Sequence, residues 1–200
     1  MSFIIKSGIG NGKSVGVSSG KRLYTDSITE TIQEAGVVAG ETFNVATGVV
    51  NLTTDSESCI FYLRNLEDRD LLITSVFINT NNGAGSVSGQ PIFKVYRNPI
   101  SGSIITNAVD VDTVSNSNFG SALILSGNIY KGVEGDTIGD ASAVIEVALP
   151  PRAALSFAEF NTRVVLPRGA AYAVSYKPEA GTTNLDIITG VVLTKLPEEF

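Results

Sequence analysis

From Gly40 onward the chain is built of short apolar runs, many of which alternate with small or polar residues and end at Gly, Asn or Ser. Tyr172, Val174 and Tyr176 take turns with Ala171, Ala173 and Ser175. Ala143, Ile145, Val147 and Leu149 do the same against Ser142, Val144 and Glu146. A period of two puts the large side chains on one face of a pleated strand, which is the signature of a half-buried β-strand. Val, Ile and Thr are abundant, and β-branched side chains suit that surface. The pattern predicts strands at Phe43–Val45, Val49–Thr53, Cys59–Arg64, Leu71–Asn79, Ile92–Arg97 and Leu123–Ser126. It predicts further strands at Val144–Leu149, Ala154–Phe157, Arg163–Leu166, Ala170–Lys177 and Leu185–Leu193. Many short strands with regular turn punctuation read as an all-β chain, an antiparallel β-sandwich of jelly-roll-like type.

Two of these runs do not alternate. Leu71, Ile73 and Phe77 fall on one side of their strand, and Leu72, Val76 and Ile78 on the other. Val191, Val192 and Leu193 run together. A strand apolar on both faces is expected to be covered on both, by an arm, by another subunit or, for a central strand, by a loop. The stretch Ser101–Asp140 is thin in large side chains, with Ile104, Ile105, Phe119, Leu123–Leu125, Ile129, Tyr130 and Ile138 the main ones. It reads as long loops and short strands between sheet halves.

The first residues differ. Glycines at 8, 10, 12, 16, 20 and 36 punctuate a segment with few large apolar groups. Val15, Val17, the turn Ser18-Ser19-Gly20, Leu23 and Tyr24 fit a small hairpin. The chain is therefore divided into an N-terminal arm with a hairpin (1–39) and a β-sandwich domain (40–200). Within the arm, Thr25–Gly36 is open between two states. Asp26 or Ser27 would cap a helix, Ile28 and Ile32 would share its face and Gly36 would end it. Its threonines and short length oppose that.

Composition excludes several chemistries. Histidine is absent, so serine–histidine and cysteine–histidine catalysis and every histidine metal site are ruled out. A single cysteine, Cys59, rules out an intrachain disulfide and a thiolate cluster. A net charge of −6 and a pI near 4.7 oppose a nucleic-acid groove. No apolar run approaches the ~18 residues that would suggest a spanning helix, so no membrane partner is expected. Ser2–Ile5 is too short for a secretory core, and folding in a cytoplasm is expected.

Several motifs fail on inspection. Gly8-Ile9-Gly10-Asn11-Gly12-Lys13-Ser14 resembles a phosphate loop, but Ser7 stands where the first glycine is needed. The residues after it, Val15-Gly16-Val17-Ser18-Ser19-Gly20, are no helix. Asp110-Val111-Asp112 and Glu134-Gly135-Asp136, with Asp140, offer oxygens for calcium but lack a spacing that would converge them. Carboxylates at Glu30, Glu34, Glu134, Glu146 and Glu159 give no pair that glycosidase chemistry could be assigned to. Cys59 sits in an apolar strand and reads as a small hydrophobe. Tyr24, Tyr62, Tyr96, Tyr130, Tyr172 and Tyr176 would serve either a sugar-stacking surface or the core and sheet edges, the second being the default for tyrosines in strands.

Gly12-Lys13-Ser14-Val15-Gly16-Val17 followed by Arg22-Leu23-Tyr24-Thr25 resembles the opening of structural proteins of tailed-bacteriophage virions. Gly40–Gly48, Val50–Thr54 and Glu57–Asn65 are similar to segments of that group, as are Asn98-Pro99, Ser101-Gly102, Tyr130-Lys131-Gly132 and Leu166-Pro167-Arg168-Gly169. The resemblance runs over nearly the whole chain. It implies a non-enzymatic virion protein, made in the host bacterial cytoplasm, and transfers no catalytic residue. The expected role is decoration or cementing of the capsid, with the major capsid protein or other virion proteins as partners. A homotrimer is expected, with no catalytic, metal-binding or cofactor-binding residues and no cofactor. The arm is expected to grip the shell through Phe3, Ile4, Ile5, Lys6, Lys13, Val15, Val17, Arg22, Leu23 and Tyr24. The alternative is a tail or fibre component whose Ser101–Asp140 loops and tyrosines bind a host glycan.

Overall fold

The computed structural model describes residues 31–81, 85–150 and 157–197. The chain divides into two units, 1–31 and 32–200, and every element below belongs to the second. Helix α1 (Ile32–Ala39) leads into β1 (Thr42–Ala46), β2 (Val50–Leu52), β3 (Ser58–Asn65), β4 (Leu71–Thr80) and β5 (Ile92–Arg97). The short α2 (Ser103–Thr106) precedes β6 (Val109–Asp110), β7 (Thr113–Asn116), β8 (Gly127–Lys131) and β9 (Ser142–Ala148). Then come β10 (Phe157–Phe160), β11 (Val164–Leu166), β12 (Ala171–Lys177) and β13 (Leu185–Lys195).

These strands make an all-β sandwich of two antiparallel sheets. The first runs β10-β4-β13-β1-β7, with β11 continuing the β10 edge along β4 and β2 continuing β1 along β13. The second runs β6-β8-β3-β12-β5-β9. Successive strands cross between sheets, so β3, β4 and β5 alternate sides, as do β11, β12 and β13. The core lies between the two inner faces. Phe43, Leu52, Ile73, Ile78, Ile187 and Leu193 of the first sheet meet Phe61, Leu63, Phe93, Tyr172 and Tyr176 of the second, all essentially buried. Phe93 of β5 stacks on Phe160 of β10 with ring centroids 5.1 Å apart, closing the core at one side.

The broken alternation in Leu71–Asn79 has a local cause. Val192 pairs with Ser75 and Leu193 with Ile73, so Thr74 has no cross-strand partner. This bulge shifts the pleat by one residue. Leu71, Ile73, Val76 and Ile78 consequently all point into the core, while Leu72 and Phe77 sit half-buried on the outer face. The expected two-sided apolar strand is thus one-sided with a phase change. β13 keeps one phase, with Val191 and Leu193 inward and Val192 outward, although Gly190 and Thr194 on its outer face are buried as well. Phe77 lies across Gly190, where a Cβ would meet its ring at 2.2 Å.

On the first sheet α1 covers the outward Thr42 and Thr194; the outer face of the second sheet has an apolar cover. Cys59, Tyr62, Ala171 and Ala173 pack there beneath Ile104 of α2, with Ile105 and Ile138 beside it. The loop-rich stretch 101–140 supplies this cover, and it also carries β6, β7 and β8, which the sequence pattern did not single out. Leu123–Ser126 forms no strand; side chains of Asn116, Glu67 and Lys195 take up its backbone groups instead of a ladder.

Helix α1 runs from Ile32 to Ala39, so Gly36 does not end it; Asp26, Ser27 and Ile28 lie outside the described residues. Gly36 is buried against Thr194, where a Cβ would come within 2.3 Å of the threonine methyl. Gly40 ends the helix with a φ of 74°. Its amide donates to Val37 O and the Glu41 amide to Gly36 O, the paired closure of a Schellman motif. The helix packs on β1 and β13. The hairpin Val15–Tyr24 and most of the strand Ala154–Phe157 lie outside the described residues.

Candidate functional site

The expected shell-gripping residues, Phe3 through Tyr24, lie outside the described residues. Four other places in the sandwich gather functional side chains.

The first is a polar cleft of about 190 Å³ beside α2, lined by Glu57, Cys59, Tyr96, Asp136 and Ser175. Two carboxylates in one cleft is the arrangement that acid–base chemistry would need. Glu57, however, accepts from Tyr96 Oη at 2.8 Å, Ser175 Oγ at 2.6 Å and Lys94 Nζ at 2.8 Å. Burial raises its affinity for a proton, but these three donors outweigh burial and hold the carboxyl below its ordinary value. Asp136 accepts from Ser103 Oγ at 2.6 Å and from the Val133 amide at 2.8 Å. Both carboxylates are occupied with structure, Asp136 joining α2 to the loop 132–137 and Glu57 joining the residue before β3 to β5 and β12. The Cys59 thiol is buried, and burial pushes its pKa well up, so it is a poor nucleophile.

Three of the other acidic candidates are likewise engaged. Glu134 accepts the amides of Thr53 and Thr54 and the Thr53 hydroxyl, which holds it below the usual carboxylate range. Asp112 pairs with Lys131, and Asp140 accepts from Ser101 Oγ. Among the described residues no three Asp, Glu or Cys side chains stand together where they could hold a metal ion.

The second place is a lateral edge of the sandwich. Here β7 ends the first sheet and β6 and β8 end the second, and a cleft of about 380 Å³ opens between them. The segment from Ser117 to Ser126 crosses this edge and carries exposed apolar groups. Phe119 is 97% exposed and Ile124 81%. Leu123, Val114 and, on α1, Val38 are exposed as well. The segment is nonetheless tightly bonded. Asn116 Nδ2 donates to Gly40 O and Leu123 O, and Asn116 Oδ1 accepts the Asn118 amide. Asn118 in turn donates to Val38 O and accepts the Gly120 amide. Lower down, Lys195 and Glu67 form an ion pair at 2.8 Å with only 9% and 7% of their side chains exposed. Lys195 also reaches Ile124 O, and Glu67 takes the Ser126 amide.

The third place is the opposite lateral edge. A cleft of about 330 Å³ runs between β5 and β9 of one sheet and β11 of the other, lined by Val144, Val164, Val165, Pro167 and Ala170. Val144 stands in a register shift between β5 and β9 and is 55% exposed. Arg97 lies on the lip.

The fourth place is a cleft of about 490 Å³ on the outer face of the second sheet. Tyr62 and Tyr130, paired across β3 and β8, stack with centroids 5.7 Å apart. Arg64, Asn128 and Arg168 line the same cleft, and neither guanidinium forms an ion pair among the described residues. Tyr172 and Tyr176 are buried in the core, and Tyr24 lies outside the described residues.

No protein-family model matches the chain, and no curated protein matches it closely enough to mark kinship. Function therefore has to come from these surfaces. Phe119, Leu123 and Ile124 were visible in the sequence as scarce large residues in a polar stretch. Their solvent-facing placement was not, because it depends on long-range bonds from Val38 and Lys195.

Proposed function

We propose that this is a non-enzymatic structural protein of a phage particle, which decorates or cements the capsid through subunit interfaces. The observation that supports it most is the pair of Phe119 and Ile124, held at the surface by a hydrogen-bonded segment. A monomer gains nothing from fixing large apolar groups in water, whereas an assembly buries them. The engaged state of Glu57 and Asp136 points the same way, since both carboxylates are taken up by structural hydrogen bonds. The N-terminal arm remains the proposed grip on the shell.

The test is immunogold labelling of intact particles, followed by capsid binding with residues 2–24 deleted. Label over the head, and loss of binding on deletion, are the expected results. Absence of label from intact and opened particles refutes the reading.

The cleft over Tyr62 and Tyr130 favours a second reading, a tail or fibre component that binds a host glycan. Unpaired Arg64 and Arg168 suit a carboxylated sugar, because a guanidinium meets a carboxylate through two parallel bonds. Saturable binding of acidic oligosaccharides, lost in Arg64→Ala, would support it; equal binding by the variant would not.

A further inference from the structure

We infer that copies of this chain associate head to tail, the apolar edge carrying Phe119 and Ile124 of one copy seating in the cleft between β5, β9 and β11 of the next. The inference rests on the assembly reading and names the partner as a second copy.

Two matched surfaces on one chain carry it. The first presents an aromatic side chain at 97% exposure and an isoleucine at 81%. Both ride on a segment whose turns are bonded through Asn116 and Asn118. An anchor whose backbone is already held loses little backbone entropy on docking. The second surface is a cleft of about 330 Å³ with a mainly apolar wall, the form of recess that receives such an anchor. The charges at the two surfaces are opposite. Arg97 lines the receiving cleft and Arg163 precedes its β11 wall, neither ion-paired among the described residues. Asp110 lines the cleft at the presenting edge. In a chain of net charge −6, unpaired arginines gathered at one edge suit an acidic partner edge.

Symmetry follows from placement. The surfaces occupy opposite ends of the strand orders, β7 with β6 at one side and β11 with β9 at the other. A two-fold dimer would bury one of them and leave its complement in water. A head-to-tail contact uses both, and it either closes into a ring or grows as a filament.

The experiment is sedimentation velocity on the full chain, with Phe119→Asp and Val165→Glu as the presenting and receiving variants. Both positions are exposed, and urea midpoints confirm that the fold survives. The wild type is expected to sediment larger than a monomer. Each variant alone should self-associate roughly thirty-fold more weakly or worse, the effect of losing one hot-spot anchor. The two variants mixed should form a heterodimer and nothing larger, because each keeps one intact surface. A mixture that stays monomeric overturns the inference, as does a wild-type oligomer that neither substitution disturbs. That last result leaves the assembly reading standing. Head-to-tail complementation in a protein that never labels particles would instead remove the virion reading alone.

Discussion

Replacing Lys195 by methionine should expose how the edge segment is held. The substitution keeps the stem of the side chain, which packs with the Phe43 ring beneath its ammonium, and removes only the charge. In the folded chain Glu67 would then lie 7% exposed with the Ser126 amide as its remaining partner of note. Ile124 O would lose its donor too. Removing one member of a buried ion pair costs about 3–5 kcal/mol, because the other charge stays buried without its counterion. Replacing both members by apolar residues of similar volume is far milder. Lys195→Met should therefore lower unfolding free energy by about 3–5 kcal/mol. Adding Glu67→Leu should recover all but about 1–2 kcal/mol, the remainder being the orphaned Ser126 amide. Urea denaturation of the four members of the cycle gives the coupling, provided the m-value is constant across them. Hydrogen exchange at Ser126 should accelerate in both single variants. If Lys195→Met costs less than about 1 kcal/mol, or the double variant is the sum of the singles, the pair is not what fastens this edge.

Three further outcomes are expected from the packing and the polar cleft. Gly190→Ala places a Cβ 2.2 Å from the Phe77 ring and 2.5 Å from Val45 O. The backbone neighbour cannot yield, so a loss of about 2–3 kcal/mol is expected in the same urea assay. The Tyr172 hydroxyl is buried with no hydrogen-bond partner among the described residues. Tyr172→Phe should accordingly leave stability unchanged or raise it by about 1 kcal/mol, and a clear loss would reveal an unrecognised partner. Glu57 has a folded pKa below its unfolded value of 4.5. Its contribution to stability is present above pH 4.5 and is lost as pH falls through the lower folded value. Glu57→Gln should flatten that acid limb of the stability profile; an unchanged limb would show that other carboxylates set it.

The sandwich was legible because its inner strands obey a period of two. β12 reads from sequence as it stands in the fold, with Tyr172, Val174 and Tyr176 inward and Ala171 and Ala173 outward. Where the pattern misled, a specific contact intervened. One unpaired residue, Thr74, inverted the phase of half of β4. Gly36, a helix stop by composition, is instead the close-approach point of α1 on Thr194. Edge strands such as β7, with the sequence Thr-Val-Ser-Asn, have one neighbour and no apolar face to advertise. The lateral surfaces were illegible for a related reason. Each is assembled from several segments, and only three-dimensional adjacency shows that Val144 and Val165 share a cleft.

The small second core under α2 has a consequence for observing this protein at work. It encloses the chain's single cysteine, 2% exposed, beneath Ile104 and Ile138. A thiol reagent can therefore modify the native protein only when this cover lifts or the whole molecule unfolds. The labelling rate becomes a clock for opening of one face of one sheet. Measured with and without bound partners, Cys59 would report whether docking at a distant edge stiffens that face, with no probe added to the chain.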